Sequence, residues 1–326
     1  MKSSTPSPAP PFLLLALLTL TATAQKTILS CADVDCPPRP GSNGVNNACT
    51  LTNSTYANVG VSRIPGPTAP GMTWVEAIQV EDLSDGRHFI KDFYLGTDPR
   101  ASFLPGCALF FTQTSPKAQW TTGSSLVSQG TCAEALSTGC VAKMVDRAAG
   151  VDVKGLGGEE ACERVKEVFE EGVVDGECRD FFSSGGSWRG LEARAITGPG
   201  APKPITAAQN ASSDCWPVEP RGYDLTPVLK MNTTGGVVAP AGERALFNVV
   251  PILTVFFPTG NAAGSVVRSE AQLTCIKPID LSVKSQSTMV GNDGGAGRAS
   301  AGRVRLQGGI SGFVSLMTVL LTAFLA

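Results

Sequence analysis

Hydrophobic and polar positions alternate along two neighbouring segments in the first third of the chain. Residues 72–81 carry an apolar side chain at nearly every second position, and residues 88–95 repeat this period after an Asp-Gly turn. A period of two is typical of half-buried strands, so the pattern predicts a β-hairpin over residues 72–95. The apolar run 107–113 has the length of a third strand, buried on both faces.

The middle of the chain changes to a helical period. Residues 131–182 are rich in Ala and Glu, and Cys162, Val165 and Phe169 follow the spacing of one helix face. Glycine and proline dominate residues 183–222, which predicts connecting segments. Apolar runs at 245–257 and 270–276 then predict further strands.

Strands on both sides of a helical stretch indicate the fold class. We predict an α+β, β-rich domain, an antiparallel β-sandwich whose last strands complete the sheets begun by the first. The cysteine-containing helical insertion, at about 131–182, covers one side and is stapled by disulfides. Two separate domains, with a boundary near residue 125, are the alternative.

The two ends of the chain have the pattern of processing signals. The apolar run 12–20 is shorter than the about 20 residues that span a bilayer, and small residues at 22 and 24 follow it. This pattern predicts a signal peptide over residues 1–24. The run 310–326 is free of charge and no Lys or Arg follows it, which favours a glycosylphosphatidylinositol (GPI) attachment signal over a plain membrane helix or a buried terminal helix.

These signals divide the chain into four parts. A secreted ectodomain spans 25–281, a Ser/Gly-rich stalk with the attachment region spans 282–302, and residues 303–326 form a removed propeptide. Small residues followed by a polar spacer are the candidates for anchor attachment: Gly295, Gly294, Asn292 and Ala299.

Cysteine content indicates the compartment. The chain has ten cysteines and one histidine, a ratio that favours folding in an oxidising compartment. An even count predicts up to five disulfides of unknown connectivity, with these cysteines as the participants: Cys31, Cys36, Cys49, Cys107, Cys132, Cys140, Cys162, Cys178, Cys215 and Cys275. Three Asn-x-Ser/Thr sequons predict N-glycosylation at Asn53, Asn210 and Asn232.

Charge and motifs exclude several kinds of chemistry. A formal net charge of −2 gives no reason to expect nucleic acid as a partner. The chain lacks a nucleophile elbow, a zinc-protease motif and a complete nucleotide-binding glycine loop, so we expect no cofactor and no metal.

Acidic residues on the predicted hairpin are the remaining catalytic candidates, because polysaccharide hydrolysis needs only a pair of carboxylates. Glu76 lies on the apolar face beside Trp74, where desolvation raises a carboxyl pKa. His88, Asp92 and Tyr94 share the face opposite to the apolar one on the next strand. The alternatives are that Glu76 lies at a solvated strand edge and that the polar trio is the exposed side of a half-buried sheet.

The whole layout resembles that of fungal GPI-anchored cell-surface and cell-wall proteins, many of undefined function. The cleavage site at 22–24, the sequons, the cysteines and the small-residue segment 292–302 before the apolar tail carry this resemblance. It implies a location at the outer leaflet of the plasma membrane or in the cell wall. We expect a non-catalytic structural, adhesive or recognition role, with wall polysaccharide or a surface protein as partner. A wall-remodelling glycoside-active enzyme and a small-ligand-binding surface protein are the alternatives.

Overall fold

A computed structural model describes ten stretches of the chain, and the fold is built from them. They are residues 49–52, 54–56, 58–84, 86–120, 130–182, 186–211, 213, 224–235, 247–258 and 268–278. The signal peptide, the stalk, the anchor candidates Asn292, Gly294, Gly295 and Ala299, the sequon Asn53 and the cysteines Cys31, Cys36 and Cys215 lie outside the described residues.

Strands are the more abundant element, and all of their pairings are antiparallel. The strands are β1 (Cys49–Leu51), β2 (Ser54–Tyr56), β3 (Asn58–Arg63), β4 (Thr73–Leu83), β5 (Gly86–Thr97), β6 (Gly106–Phe111), β7 (Leu191–Thr197), β8 (Asp224–Gly235), β9 (Val250–Phe256) and β10 (Glu270–Ile276). The helices are α1 (Cys132–Leu136), α2 (Thr138–Ala149), α3 (Gly158–Glu170), α4 (Arg179–Phe182) and α5 (Ala207–Ala211).

The larger strands form two four-stranded sheets. One has the order β3-β4-β5-β8 and the other has the order β10-β9-β6-β7, while β1 and β2 form a separate hairpin. The predicted hairpin over 72–95 is confirmed as β4 and β5, and the last two strands join β6 as expected. β6 is buried at every position, because it is an inner strand with apolar side chains on both faces.

Side chains of the two sheets meet in one hydrophobic cluster. Trp74 of β4 and Phe93 of β5 pack against Phe110 of β6, at ring-centroid distances of 5.4 and 5.1 Å. The indole Nε1 of Trp74 donates a hydrogen bond to Thr254 Oγ1 of β9 at 3.2 Å. Each of these fully buried aromatic side chains contributes about 2–3 kcal/mol through removal of apolar surface from water.

The helices α1 to α4 occupy the segment between β6 and β7, as the pattern at 131–182 predicts. They cover the other face of the β6-containing sheet, where α3 packs on β6 and β7, and α2 packs on β10. The predicted helix stripe is confirmed, since Cys162, Val165 and Phe169 are all buried. Phe169 packs edge-on against Phe111 at 5.5 Å and Trp188 at 5.3 Å.

Four elements differ from the sequence-based prediction. Residues 183–222 contain β7 and α5, although Gly and Pro suggested connections alone. β8 is a strand that the pattern did not indicate, because Pro227 interrupts it. A proline is tolerated there because β8 lies at the edge of its sheet, and the register shifts beside that residue. The strand predicted within 245–257 begins only at Val250.

In the part of the chain that the structure describes, no helix combines the length and the hydrophobicity that a membrane crossing requires.

Candidate functional site

Glu76 is buried between the two sheets. It lies on β4, on the same face as Trp74, and its side chain is 0 % exposed. Burial raises its pKa to about 7, although Lys91 and Lys277 both act to lower it. The prediction of an acid on the apolar face is therefore confirmed, and the alternative of a solvated strand edge is wrong.

Lys91 holds this carboxylate against the opposite sheet. The strand register places Lys91 of β5 opposite Ile78, on the face that also carries Glu76. Its Nζ donates to Glu76 Oε1 at 2.8 Å and to Asn248 Oδ1 at 2.7 Å. Asn248 is half-buried and lies two residues before β9, so one ammonium group joins β5 of one sheet to the segment that leads into β9 of the other.

Lys277 is a second buried cation near Glu76. It follows β10, is 3 % exposed, and its Nζ lies 5.5 Å from the ring centroid of Trp120. Burial lowers its pKa to about 8, against the opposing attraction of Glu76. The second carboxyl oxygen of Glu76, Oε2, is buried and has no hydrogen-bond partner among the described residues. The four residues Glu76, Lys91, Asn248 and Lys277 are called the inter-sheet polar cluster below.

Another polar group occupies the opposite face of the same sheet. Tyr56 OH donates to Asp92 Oδ2 at 2.7 Å and lies 2.6 Å from Tyr94 OH. Burial raises the pKa of Tyr56 and raises that of Tyr94 to about 12. Asp92 is 7 % exposed and lies 3.6 Å from Lys230 Nζ, and the hairpin residue Tyr56 covers it. The trio is therefore buried, and the alternative of an exposed sheet face is wrong.

The catalytic candidates do not converge on one site. Side chains alternate between the faces of a strand, so Glu76 points between the sheets while His88 and Asp92 point to the opposite face. Two carboxylates must flank the same glycosidic bond in a hydrolase of the common type. Glu76 and Asp92 lie on opposite faces of one sheet and cannot form such a pair.

Two of the three sequons lie in described segments. Asn210 is half-buried on α5, and Asn232 is exposed on β8. The Oδ1 atom of Asn232 accepts a hydrogen bond from His88 Nδ1 at 3.1 Å. An N-linked glycan attaches through Nδ2, so glycosylation of Asn232 is compatible with this hydrogen bond.

Four of the cysteines in the described segments form disulfides. Cys132 bonds to Cys275 and joins the start of α1 to β10, and Cys140 bonds to Cys178 within the helical segment. The structure departs from complete pairing at Cys107 and Cys162, which are buried free thiols. Burial, and next to it the neighbouring Cys162 thiol, raises the pKa of Cys107. Each is enclosed by the core in which α3 packs on β6.

Sequence reasoning missed Lys91, Asn248 and Lys277. Lys91 carries a usable signal, because it interrupts the apolar positions 89 and 93 on the inward face of β5. Asn248 similarly interrupts the apolar run 245–257 with a polar side chain. A charged or amide side chain at such a position needs a buried polar partner, but the pattern does not say which one.

The described residues contain no group of three or more His, Cys, Asp or Glu side chains placed to hold a metal ion. No protein-family model, no curated protein and no solved structure matches the chain.

Proposed function

We propose that this chain is an extracellular glycoprotein, tethered by a GPI anchor to the cell surface or linked to the cell wall, with a non-catalytic structural, adhesive or recognition role. The observation that carries the proposal is the pair of disulfides, Cys132–Cys275 and Cys140–Cys178. Such bonds form and persist on the secretory route and are rare in the cytosol.

The proposed architecture is an antiparallel β-sandwich with a helical insertion. The contact of Trp74 with Phe110 and its hydrogen bond to Thr254 support face-to-face packing of the two sheets. The disulfide between Cys132 and Cys275 fastens the start of the insertion to the last strand. This arrangement suits a domain that must stay folded outside the cell without chaperones.

The burial of the polar groups supports a role without turnover of an external substrate. Glu76 is enclosed between the sheets, and Asp92 is enclosed on the other face. Neither carboxylate offers a solvated cleft to a polysaccharide. The sequons at Asn210 and Asn232, once glycosylated, fit recognition or wall organisation better than hydrolysis.

Anchorage is tested on intact cells that express the full chain with an epitope tag placed after residue 25. We expect phosphatidylinositol-specific phospholipase to release the protein into the medium, and a peptide-N-glycosidase to lower its apparent mass. A matched control that lacks residues 303–326 should be secreted without phospholipase. Recovery of the peptide 310–326 in the mature protein, or of free thiols at Cys132 and Cys275, would contradict the proposal.

Catalysis is tested separately with the secreted ectodomain on a panel of wall glucans. We expect no release of sugar from wild-type protein. Sugar release that is lost in Glu76→Gln or Asp92→Asn and kept in a control such as Glu163→Gln on the exposed face of α3 would instead support the glycoside-active alternative.

A further inference from the structure

The ammonium group of Lys91 lies between a carboxylate and a carboxamide. Its Nζ is 2.8 Å from Glu76 Oε1 and 2.7 Å from the side-chain oxygen of Asn248. The hydrogen bond to Asn248 Oδ1 holds the amine nitrogen beside the carboxamide group whose carbon it would attack, and such proximity raises the effective concentration of the reacting groups. An amine, a carboxamide and an acid in contact are the components of amide exchange.

We propose that Lys91 and Asn248 become joined by an intramolecular isopeptide bond that the folded chain forms by itself, with Glu76 carrying the proton. The bond links β5 of one sheet to the segment that leads into β9 of the other.

The step balances without an oxidant or a cofactor. Lys91 passes a proton to the Glu76 carboxylate, and the neutral Nζ attacks Cγ of Asn248 to give a tetrahedral intermediate. Glu76 then protonates the Asn248 Nδ2 as the Cγ–Nδ2 bond breaks. A new Nζ–Cγ bond remains, the second amine proton leaves with the departing nitrogen, and the products are the isopeptide and one ammonium ion.

Burial supplies the two conditions that this reaction needs. Glu76 has a pKa raised to about 7 by desolvation, so its carboxylate is a much stronger base than a solvated one. The Lys91 side chain is 8 % exposed, so water competes poorly with it for the carboxamide carbon. The paired strands β4 and β5 hold Glu76 and Lys91 in place, which raises the effective concentration of the amine.

Asn248 is the acceptor because its carboxamide is the one that the Lys91 Nζ contacts, at 2.7 Å. Lys277, the other cation of the inter-sheet polar cluster, has its Nζ over the Trp120 ring. Asn248 is half-buried and lies two residues before β9, so ammonia formed there has a route to solvent. A direct amide between Lys91 and Glu76 would release water instead of ammonia, and mass spectrometry separates the two products.

The bond would be a covalent link between the two sheets. Lys91 and Asn248 are separated by 157 residues along the chain, and most of the described fold lies between them. A covalent link of this span resists pulling of the two sheets apart. It is a useful property for a protein that bears load at a cell surface or in a wall.

The test is peptide mapping of the mature, secreted protein after reduction, alkylation and trypsin digestion. Trypsin produces residues 245–268 as one peptide, and cleavage after Arg87 and Arg100 releases 88–100 intact when Lys91 is blocked. We expect one branched species with the summed mass of these two peptides less one ammonia. Neither peptide contains a sequon, so glycan removal does not alter the result.

Three variants separate the roles. We expect Lys91→Arg and Asn248→Ala to lose the branched peptide because they lack a reacting group, and Glu76→Gln to lose it while both reacting groups remain. Lys230→Arg, at an exposed lysine on β8, is the control and should keep the link. We also expect the melting temperature of the wild type to exceed that of Asn248→Ala by several degrees under reducing conditions.

Wild-type protein that yields separate peptides 88–91 and 245–268 would overturn the proposal, whatever happens to the variants. A branched species in which Lys91 is joined to Glu76 with the loss of one water would overturn the choice of Asn248. Full linkage in Glu76→Gln would overturn the role of Glu76. Since the wild-type digest decides the main point, failure of any variant to fold does not protect the proposal.

Discussion

The disulfide between Cys132 and Cys275 closes the longer of the two covalent loops in the described fold, and its removal is the most informative stability test. Its partners are 143 residues apart, against 38 for Cys140 and Cys178. Loop-closure entropy predicts a stabilisation of about 5 kcal/mol for the longer loop and about 4 kcal/mol for the shorter. The shorter loop lies inside the longer one, but the logarithmic dependence on length makes that a small correction.

The perturbation is the double variant Cys132→Ala with Cys275→Ala, compared with Cys140→Ala with Cys178→Ala. Unfolding in urea, followed by tryptophan fluorescence and far-ultraviolet circular dichroism, gives the free energy of unfolding of the secreted ectodomain. We expect the first variant to lose about 1 kcal/mol more than the second, because its unfolded chain gains more freedom. The two small cavities are of the same kind in both variants and largely cancel.

The reasoning is refuted if the variant that lacks the longer loop unfolds at the same urea concentration as wild type. It is equally refuted if removal of the shorter loop costs clearly more. Either result would mean that the fastening of α1 to β10 does not restrict the unfolded chain.

Three further predictions rest on single features of the fold. The pKa of Glu76 is about 7 in the folded state against 4.5 for the ordinary residue, so the folded state binds more protons than the unfolded state between these pH values. The free energy of unfolding should therefore fall by about 3 kcal/mol as the pH rises from 4.5 to 7. Glu76→Gln should abolish this pH dependence in urea titrations, and an unchanged pH dependence in the variant would rule out the assignment to Glu76. Cys107 and Cys162 should resist iodoacetamide in the folded protein and react with it after unfolding without reductant. Labelling before unfolding would disprove their burial. Absence of labelling after unfolding would show that the two cysteines are in disulfides, as the cysteine count predicts. Gly60→Ala should destabilise the fold by about 1–3 kcal/mol, because the added Cβ overlaps a backbone carbonyl of the segment that follows β10. The control Gly176→Ala has open space around the new Cβ and should change thermal unfolding little. Equal effects of the two variants would refute the close approach of Gly60 to that carbonyl.

The hairpin β4–β5, the inner strand β6 and the stripe of α3 were predictable from the sequence. Each has a strong local period, and the burial of one face is enough to generate that period. β7 and β8 were not predictable in the same way. β7 uses Ala193 and Ala195 at its inward positions, and Pro227 interrupts β8, so their strand character comes from the neighbours with which they pair.

In the candidate site, too, some features were predictable from the sequence and others were not. The sequence identified Glu76 as an acid on an apolar face and His88 and Asp92 as a group on the other face. Local alternation of side chains is sufficient for both statements. That Glu76 and Asp92 cannot act together also follows from alternation once the register of β4 and β5 is known.

Local order along the chain therefore decided which segments are strands or helices, which face of each is apolar, and how many cysteines are available for pairing. The tertiary structure alone decided that Lys91, Glu76 and Asn248 meet, and that Cys132 reaches Cys275. The contact of Lys91 with Asn248 and the bond between Cys132 and Cys275 join residues that are far apart in sequence, and they depend on how the strands and helices pack. A periodic pattern specifies a direction for each side chain, but only tertiary packing brings one particular partner within hydrogen-bond distance.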